Sequence, residues 1–199
     1  MRGLSLVMCF ALTMAVASVA SAQTVGAPQI LDEQNGLQVR GTLAETDLYS
    51  FVVPANTLSE AASGRRIHLD LYVHLSNDTT QTDVFELGLY FGGKKIADSQ
   101  VNVFGYGNQG YKLDAWFSVG MFGAGKYLCA EVSANFANQF AYDSPVLIEA
   151  AAPLMGETLY DVPAQIDLSQ NNILKVTVKL ADPSGNVYAI MGHGMTILD

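Results

Sequence analysis

One ten-residue segment alternates between apolar and other side chains without interruption. From Arg66 to Leu75 every second residue is Ile, Leu or Val, and the residues between them are polar or aromatic. Side chains that alternate with a period of two point to opposite faces of a β-strand. The segment therefore predicts an antiparallel strand with one face in a core and the other toward solvent.

Similar short apolar runs recur along the chain, separated by turn formers such as Gly92-Gly93 and Asp182-Pro183-Ser184-Gly185-Asn186. In the first run, Tyr49, Phe51 and Val53 are expected on one face, and in a later run Trp116 is expected in the core. Eight or nine strands at this spacing predict an all-β fold, either a β-sandwich or a barrel, and we expect an antiparallel β-sandwich. The further predicted strands cover residues 48–53, 84–91, 96–104, 112–121, 126–133, 145–150, 173–180 and 187–191.

The first 22 residues predict an export signal. Arg2 precedes an uncharged apolar run from Leu4 to Val16, and Ala20-Ser21-Ala22 has the small-residue pattern of a signal-peptidase site. The run is shorter than the ~20 residues needed to span a bilayer, so removal is favoured over a membrane anchor, and we expect no transmembrane segment. The protein is therefore expected to be exported to the periplasm, the cell surface or the medium.

The chain divides into four predicted parts. Residues 1–22 form the signal peptide, and residues 23–36 form an extended leader rather than a packed element. Residues 37–152 form the sandwich. Residues 153–199 add strands to the same sandwich, with a small separate lobe as the alternative.

Charge and cysteine content limit the partners. With 10 Lys and Arg against 19 Asp and Glu, the chain has a net charge of −9. Nucleic-acid backbones require dense positive charge, so we expect no nucleic-acid partner. Beyond residue 22 the single cysteine is Cys129, which excludes an internal disulfide and suits a small buried side chain.

Two segments place aromatic rings beside amides in loops that we expect to be exposed. The first runs from Phe104 to Tyr111 and the second from Asn135 to Asp143. Such rings and amides suit contact with a glycan or a protein partner, although they also suit capping of the sandwich ends. The candidate ligand-binding residues are Tyr106, Asn108, Tyr111, Phe136, Phe140 and Tyr142.

Residues 77–83 concentrate oxygen ligands in a short stretch, with Asn77, Asp78 and Asp83 as the candidate metal ligands. Calcium uses such hard oxygen donors, whereas an ordinary solvated turn between strands is the alternative. No other cofactor is expected. On the polar face of the alternating strand, His68 with Asp70, or Tyr72 with His74, has the spacing to share a ligand or a proton. A plain solvent-facing strand is the favoured interpretation of these residues.

No complete catalytic motif stands in the sequence. Both Gly-x-Ser-x-Gly and His-Glu-x-x-His are missing, and acidic residues such as Glu86, Asp98, Asp114 and Glu131 are scattered. We therefore assign no catalytic residue. An unrecognised secreted hydrolase, with its groups assembled from distant positions, is kept as an alternative.

Gly41-Thr42-Leu43 is soon followed by a segment from Asp47 to Val53 with the pattern Asp-x-Tyr-x-Phe-x-Val. Together they resemble the opening of bacterial pre-peptidase C-terminal domains. Residues 87–99 are similar to the central hairpin of that family, and residues 123–132 to its closing Gly-x-Tyr strand. The resemblance covers about Leu37 to Ala134. It implies a jelly-roll-like sandwich that is exported, non-catalytic, sometimes steadied by calcium, and used for binding or as an appendage.

The sequence thus predicts a secreted or periplasmic binding or adhesion module that recognises a glycan, a surface or a protein through its loops. A structural subunit of an extracellular filament or coat is the first alternative. Such a subunit would self-assemble through its edge strands.

Overall fold

The computed structural model describes residues 27–58, 65–122, 125–137, 159–160 and 166–199. Within these residues the chain forms eleven strands and no helix. The strands are β1 (Gln29–Gln34), β2 (Gln38–Arg40), β3 (Thr46–Val53), β4 (Ile67–Asn77), β5 (Asp83–Phe91), β6 (Lys94–Val103), β7 (Gly107–Phe122), β8 (Gly125–Ala137), β9 (Leu159–Tyr160), β10 (Asn172–Leu180) and β11 (Val187–Leu198).

The strands form two antiparallel sheets. The large sheet has the order β1-β11-β4-β7-β8-β9, with β2 also paired to β11, and the small sheet has the order β3-β10-β5-β6. Side chains from both sheets meet in one hydrophobic core. The predicted all-β sandwich is therefore confirmed. Strand β10 lies in the middle of the small sheet, and β11 lies inside the large sheet, between β4 and the edge strands β1 and β2.

The alternating segment forms β4, inside the large sheet. Its apolar side chains are completely buried: Ile67, Leu69, Leu71, Val73 and Leu75. They face the small sheet, and between the two layers the rings of Phe91 on β5 and Phe117 on β7 lie 5.2 Å apart. The polar side chains of β4 therefore project from the outer face of the large sheet.

Polar bonds also cross the core between the sheets. The hydroxyl of Tyr49 on β3 contacts that of Thr196 on β11 at 2.5 Å. Burial raises the pKa of the Tyr49 hydroxyl well above its usual range, so this group stays neutral at physiological pH. The bond fixes the position of β3 relative to the large sheet.

Three features of the fold differ from the sequence predictions. A bulge in β3 buries Leu48 beside Tyr49, so two consecutive side chains face the core. Trp116 lies on the outer face of β7, opposite His68, while its neighbour Phe117 fills the core position. Residues Gln29–Gln34, expected to be a leader, pair with β11 as β1.

Several sequence predictions fall outside the described residues. These are the signal peptide at 1–22 and the predicted strand at 145–150. The side chain of Cys129 is also outside the described set, although its backbone belongs to β8. Among the residues that the structure describes, none belongs to a helix with the length and apolar character needed to cross a membrane.

Three connections meet at one end of the sandwich, here called the loop end: residues 78–82, 104–106 and 181–186. The amide of Tyr106 donates to the Thr79 carbonyl, and the amide of Asp78 donates to the Asn186 carbonyl, each at 2.8 Å. These backbone bonds join the three connections. The loop end is therefore one continuous surface carried by both sheets.

Phe117→Ala should lower the free energy of unfolding by about 3–5 kcal/mol, because it removes a buried ring and leaves a cavity against Phe91. Chemical denaturation followed by circular dichroism measures this loss. Ile173→Ala, at a side chain that is 48% exposed, is the control and should cost about 0.5 kcal/mol or less. Equal losses for the two variants would contradict the core position of Phe117.

Candidate functional site

The turn between β6 and β7 displays two aromatic rings at the loop end. Phe104 is 55% exposed and Tyr106 is 74% exposed. Large aromatic side chains usually bury most of their surface, so two such rings, separated by one residue in the same turn, form a notable apolar patch. The predicted exposure of Tyr106 is therefore confirmed.

The backbone of this turn is held in a single shape. Tyr106 has a φ of 54°, in the left-handed region that L-residues rarely adopt. A Cβ at Gly105 would lie 2.5 Å from the backbone carbon of Thr80, so only glycine fits where the turn packs on its neighbour. The amide of Gly107 closes the turn on the Phe104 carbonyl at 2.9 Å. The rings are thus presented on a rigid support.

Asn108 lies two residues beyond Tyr106, at the start of β7. Its side chain is exposed, and its Oδ1 accepts a hydrogen bond from the hydroxyl of Ser76, its cross-strand partner on β4. This bond orients the amide beside the aromatic turn. The predicted pairing of an exposed ring with an exposed amide is therefore present for Tyr106 and Asn108.

Tyr111, another predicted ligand-binding residue, does not join this surface. Tyr111 was expected in an exposed loop, but it lies in β7 with its ring in the core, 2% exposed, and its hydroxyl is 3.0 Å from that of Ser99. Burial raises the pKa of this hydroxyl. Phe136 lies in β8, but its side chain is outside the described set, and Phe140 and Tyr142 lie outside the described residues.

In the predicted calcium loop, side-chain oxygen atoms of Asn77 and Asp83 accept hydrogen bonds from within the loop. Asn77 is fully buried; its amide nitrogen donates to the carbonyls of Gln81 and Val103, and its Oδ1 accepts from the amide and hydroxyl of Thr79. Asp83 accepts a bond from the same hydroxyl at 3.1 Å. Asn77 is therefore a structural amide and not an open ligand, which corrects that part of the prediction.

Asp78 is exposed in the same loop. The described residues contain no group of three or more His, Cys, Asp or Glu side chains arranged to hold a metal ion. A calcium ion at Asp78 and Asp83 stays a prediction.

The outer face of the large sheet carries the predicted histidine strand. The His68 ring stacks on Trp116 of β7 with centroids 3.9 Å apart and planes 4° from parallel. Its Nε2 is 3.2 Å from Asp114 Oδ1, although the N–H is not aimed well enough for a hydrogen bond. His68 thus contacts neighbours across the strand pair, and not Asp70 as the spacing suggested.

Two carboxylates lie directly opposite each other on this face. Asp70 on β4 is the register partner of Asp114 on β7, a destabilising arrangement for like charges. Lys112 lies 3.3 Å from Asp70, and His68 lies beside Asp114, so each carboxylate has its own cationic or polar neighbour. The charged side chains on this face therefore interact with one another within the sheet.

Tyr72 and His74 do lie together, with ring centroids 4.7 Å apart in an edge-to-face contact. A Cβ at Gly192 in the adjacent bulge of β11 would lie 3.2 Å from the Tyr72 ring. The pair is therefore packed against the neighbouring strand, as in ordinary sheet packing.

On the outer face of the small sheet, Glu45 accepts hydrogen bonds from two strands. Its Oε1 accepts hydrogen bonds from Thr177 at 2.6 Å and Tyr90 at 2.7 Å, and it lies over Gly88. Both hydrogen bonds lower the pKa of the Glu45 carboxyl, and the bond from Thr177 has the larger effect. The same contact raises the pKa of Tyr90. The connection between β2 and β3 is thereby fastened to the sheet.

Comparison with known proteins assigns neither a family nor a function to the chain. No protein-family model and no curated protein matches the chain. A solved structure with some similarity is the CBM2 module of the evolved Dit of Lactobacillus casei BL23 phage J-1, at 10% identity and a TM-score of 0.34, covering 74% of this chain and 67% of that one. A likeness this distant carries no argument, and the resemblance to pre-peptidase C-terminal domains stays a prediction.

Glu45→Gln should destabilise the protein more at pH 7 than at pH 3. Folding lowers the pKa of this carboxyl. The contribution of the carboxyl to the free energy of unfolding is therefore complete above its pKa in the unfolded chain, and it is lost as the pH falls through its lower pKa in the folded protein. Urea denaturation of both proteins at the two pH values measures the difference.

Tyr90→Phe provides the control for this prediction, because it removes one of the two donors. In the Tyr90→Phe background the pH-dependent effect of Glu45→Gln should shrink. An effect of Glu45→Gln that is the same at pH 7 and pH 3 would contradict the assigned role of the carboxylate.

Proposed function

We propose that this protein is a non-catalytic binding module that recognises a glycan at its loop end. The observation that carries the proposal is the rigid turn of residues 104–106, with two aromatic rings on the surface. Asn108 supplies an oriented amide next to them.

The backbone strain at Tyr106 supports a role in binding. A left-handed conformation costs an L-residue roughly 1–2 kcal/mol, and glycine in its place would avoid that cost. Because 74% of the Tyr106 surface is exposed to solvent, packing of its side chain offsets little of this free-energy cost. Strained residues of this kind concentrate at ligand contacts, where the conformation presents the side chain.

The chemistry around the turn suits a sugar. A pyranose ring combines an apolar C–H face with hydroxyl groups, which matches aromatic rings beside uncharged hydrogen-bonding groups. Besides Asn108, the exposed side chains of Asn102 and Thr80 lie on the segments that flank the turn. The alternative partner, a protein, would require a broader surface than two rings and their neighbours provide.

The non-catalytic part of the proposal rests on the surroundings of His68 and His74. His68 stacks on Trp116 beside Asp114, His74 packs on Tyr72, and both lie on a sheet face and not in a cleft. Catalytic groups act where a pocket can position the substrate and exclude water. The export predicted from residues 1–22 would place the module where it meets extracellular glycans.

Tyr106→Gly should abolish or strongly weaken glycan binding without destabilising the fold. Removal of the ring deletes the stacking surface, whereas glycine relieves the positive φ and should leave the protein as stable or up to about 1 kcal/mol more stable. A glycan array measures binding, and thermal denaturation measures stability. Phe104→Ala should weaken binding to the same glycans.

Val52→Ala is the matched control, because Val52 is 51% exposed on the small sheet, away from the turn. It should leave binding unchanged. Glycan binding that persists in the double variant Tyr106→Gly/Phe104→Ala would contradict the proposed site. Failure of the unaltered protein to bind any glycan on the array would contradict the proposed function.

A further inference from the structure

A row of side chains crosses the large sheet at the loop end. Arg40 on β2, Tyr188 on β11, Ser76 on β4 and Asn108 on β7 are successive cross-strand partners. With neighbouring strands about 4.8 Å apart, the row is about 14 Å long. It ends beside the turn of residues 104–106, so it extends the proposed glycan site across four strands.

The guanidinium of Arg40 is held in place at the far end of this row. Its Nε donates to the Gly185 carbonyl, and its Cζ lies 5.0 Å from the centre of the Tyr188 ring. A Cβ at Gly185 would lie 3.4 Å from Nε, so the turn of residues 182–186 packs on the side chain. An exposed arginine normally keeps its rotamer freedom, and here three contacts restrict it.

No carboxylate in the described part of the chain neutralises the charge of Arg40. Four lysines on the sheets have a carboxylate partner: Lys95, Lys112, Lys175 and Lys179. Within the described residues no carboxylate lies within 4 Å of Arg40. Asp182, in the turn that packs on Arg40, accepts the amide of Ser184 instead. A fixed and unpaired guanidinium is an anion-binding group, because its fork of N–H donors matches an oxyanion.

We infer that the glycan is acidic, and that Arg40 binds a carboxylate or sulfate of a sugar at the far end of the row, about 14 Å from Asn108. This inference rests on the proposed function and names its ligand class. The net charge of −9 repels anionic ligands in general. A single fixed cation, held at a set distance from Asn108 and Tyr106, therefore favours a glycan whose acidic group lies at that distance from the sugar bound at the turn.

The test compares acidic and neutral glycans on the intact protein. An array that holds uronic-acid glycans, their methyl esters, sulfated glycans and the unsulfated counterparts separates carboxylate from sulfate recognition. We expect binding to one acidic group and about tenfold weaker binding to its neutral counterpart. Arg40→Gln should remove this preference, and Arg40→Lys, which keeps the charge without the fork, should lose part of it.

Arg66→Gln is the control, since it removes the same charge at the opposite end of β4. Its binding should equal that of the unaltered protein, and thermal denaturation of all variants checks folding. Equal binding of neutral and acidic glycans, or equal losses in Arg40→Gln and Arg66→Gln, would overturn the inference while leaving the proposed function intact. Failure to bind glycans of either class would overturn both.

Discussion

The burial of one face of β4 is the constraint on which the rest of the structure depends. Five β4 side chains have no exposure to solvent, and this is possible only if the small sheet covers that face while β11 and β7 flank the strand. A shift by one residue would bring His68 and Asp70 into the core and expose the apolar set. Register in β4 therefore fixes which residues of β7 and β11 face outward, including Trp116 and Asn108.

The sequence predicted those parts of the fold that have a strong period-two signal. Strands β4, β5 and β10 lie within two residues of their predicted bounds because one of their faces is buried. Strand β1 gives no such signal: none of its side chains is buried, and it is held by backbone pairing to β11 and by Gln34, whose amide donates to the Ser50 carbonyl. Pairing of that kind depends on residues distant in sequence.

The candidate site was predicted only in part, for a related reason. The segment from Phe104 to Tyr111 is rich in glycine and reads as one loop, but β7 already begins at Gly107, and the alternation that follows turns Asn108 outward and Tyr111 into the core. Arg40 carried no local signal at all. Its partners Gly185 and Tyr188 lie nearly 150 residues further along the chain, and only the position of β11 beside β2 brings them together.

The edges of the small sheet favour recognition by loops over assembly by strand pairing. The β3 edge is interrupted by a bulge at Leu48, and the Gln34 side chain occupies the Ser50 carbonyl that a new strand would use. The β6 edge carries Lys94 and Lys95 and a bulge beside them. Bulges, edge lysines and side chains that cap free carbonyls are the means by which native sheets avoid pairing with one another. A filament subunit needs the opposite, a flat edge with open hydrogen-bonding groups, so neither edge of the small sheet is suited to pair with another copy.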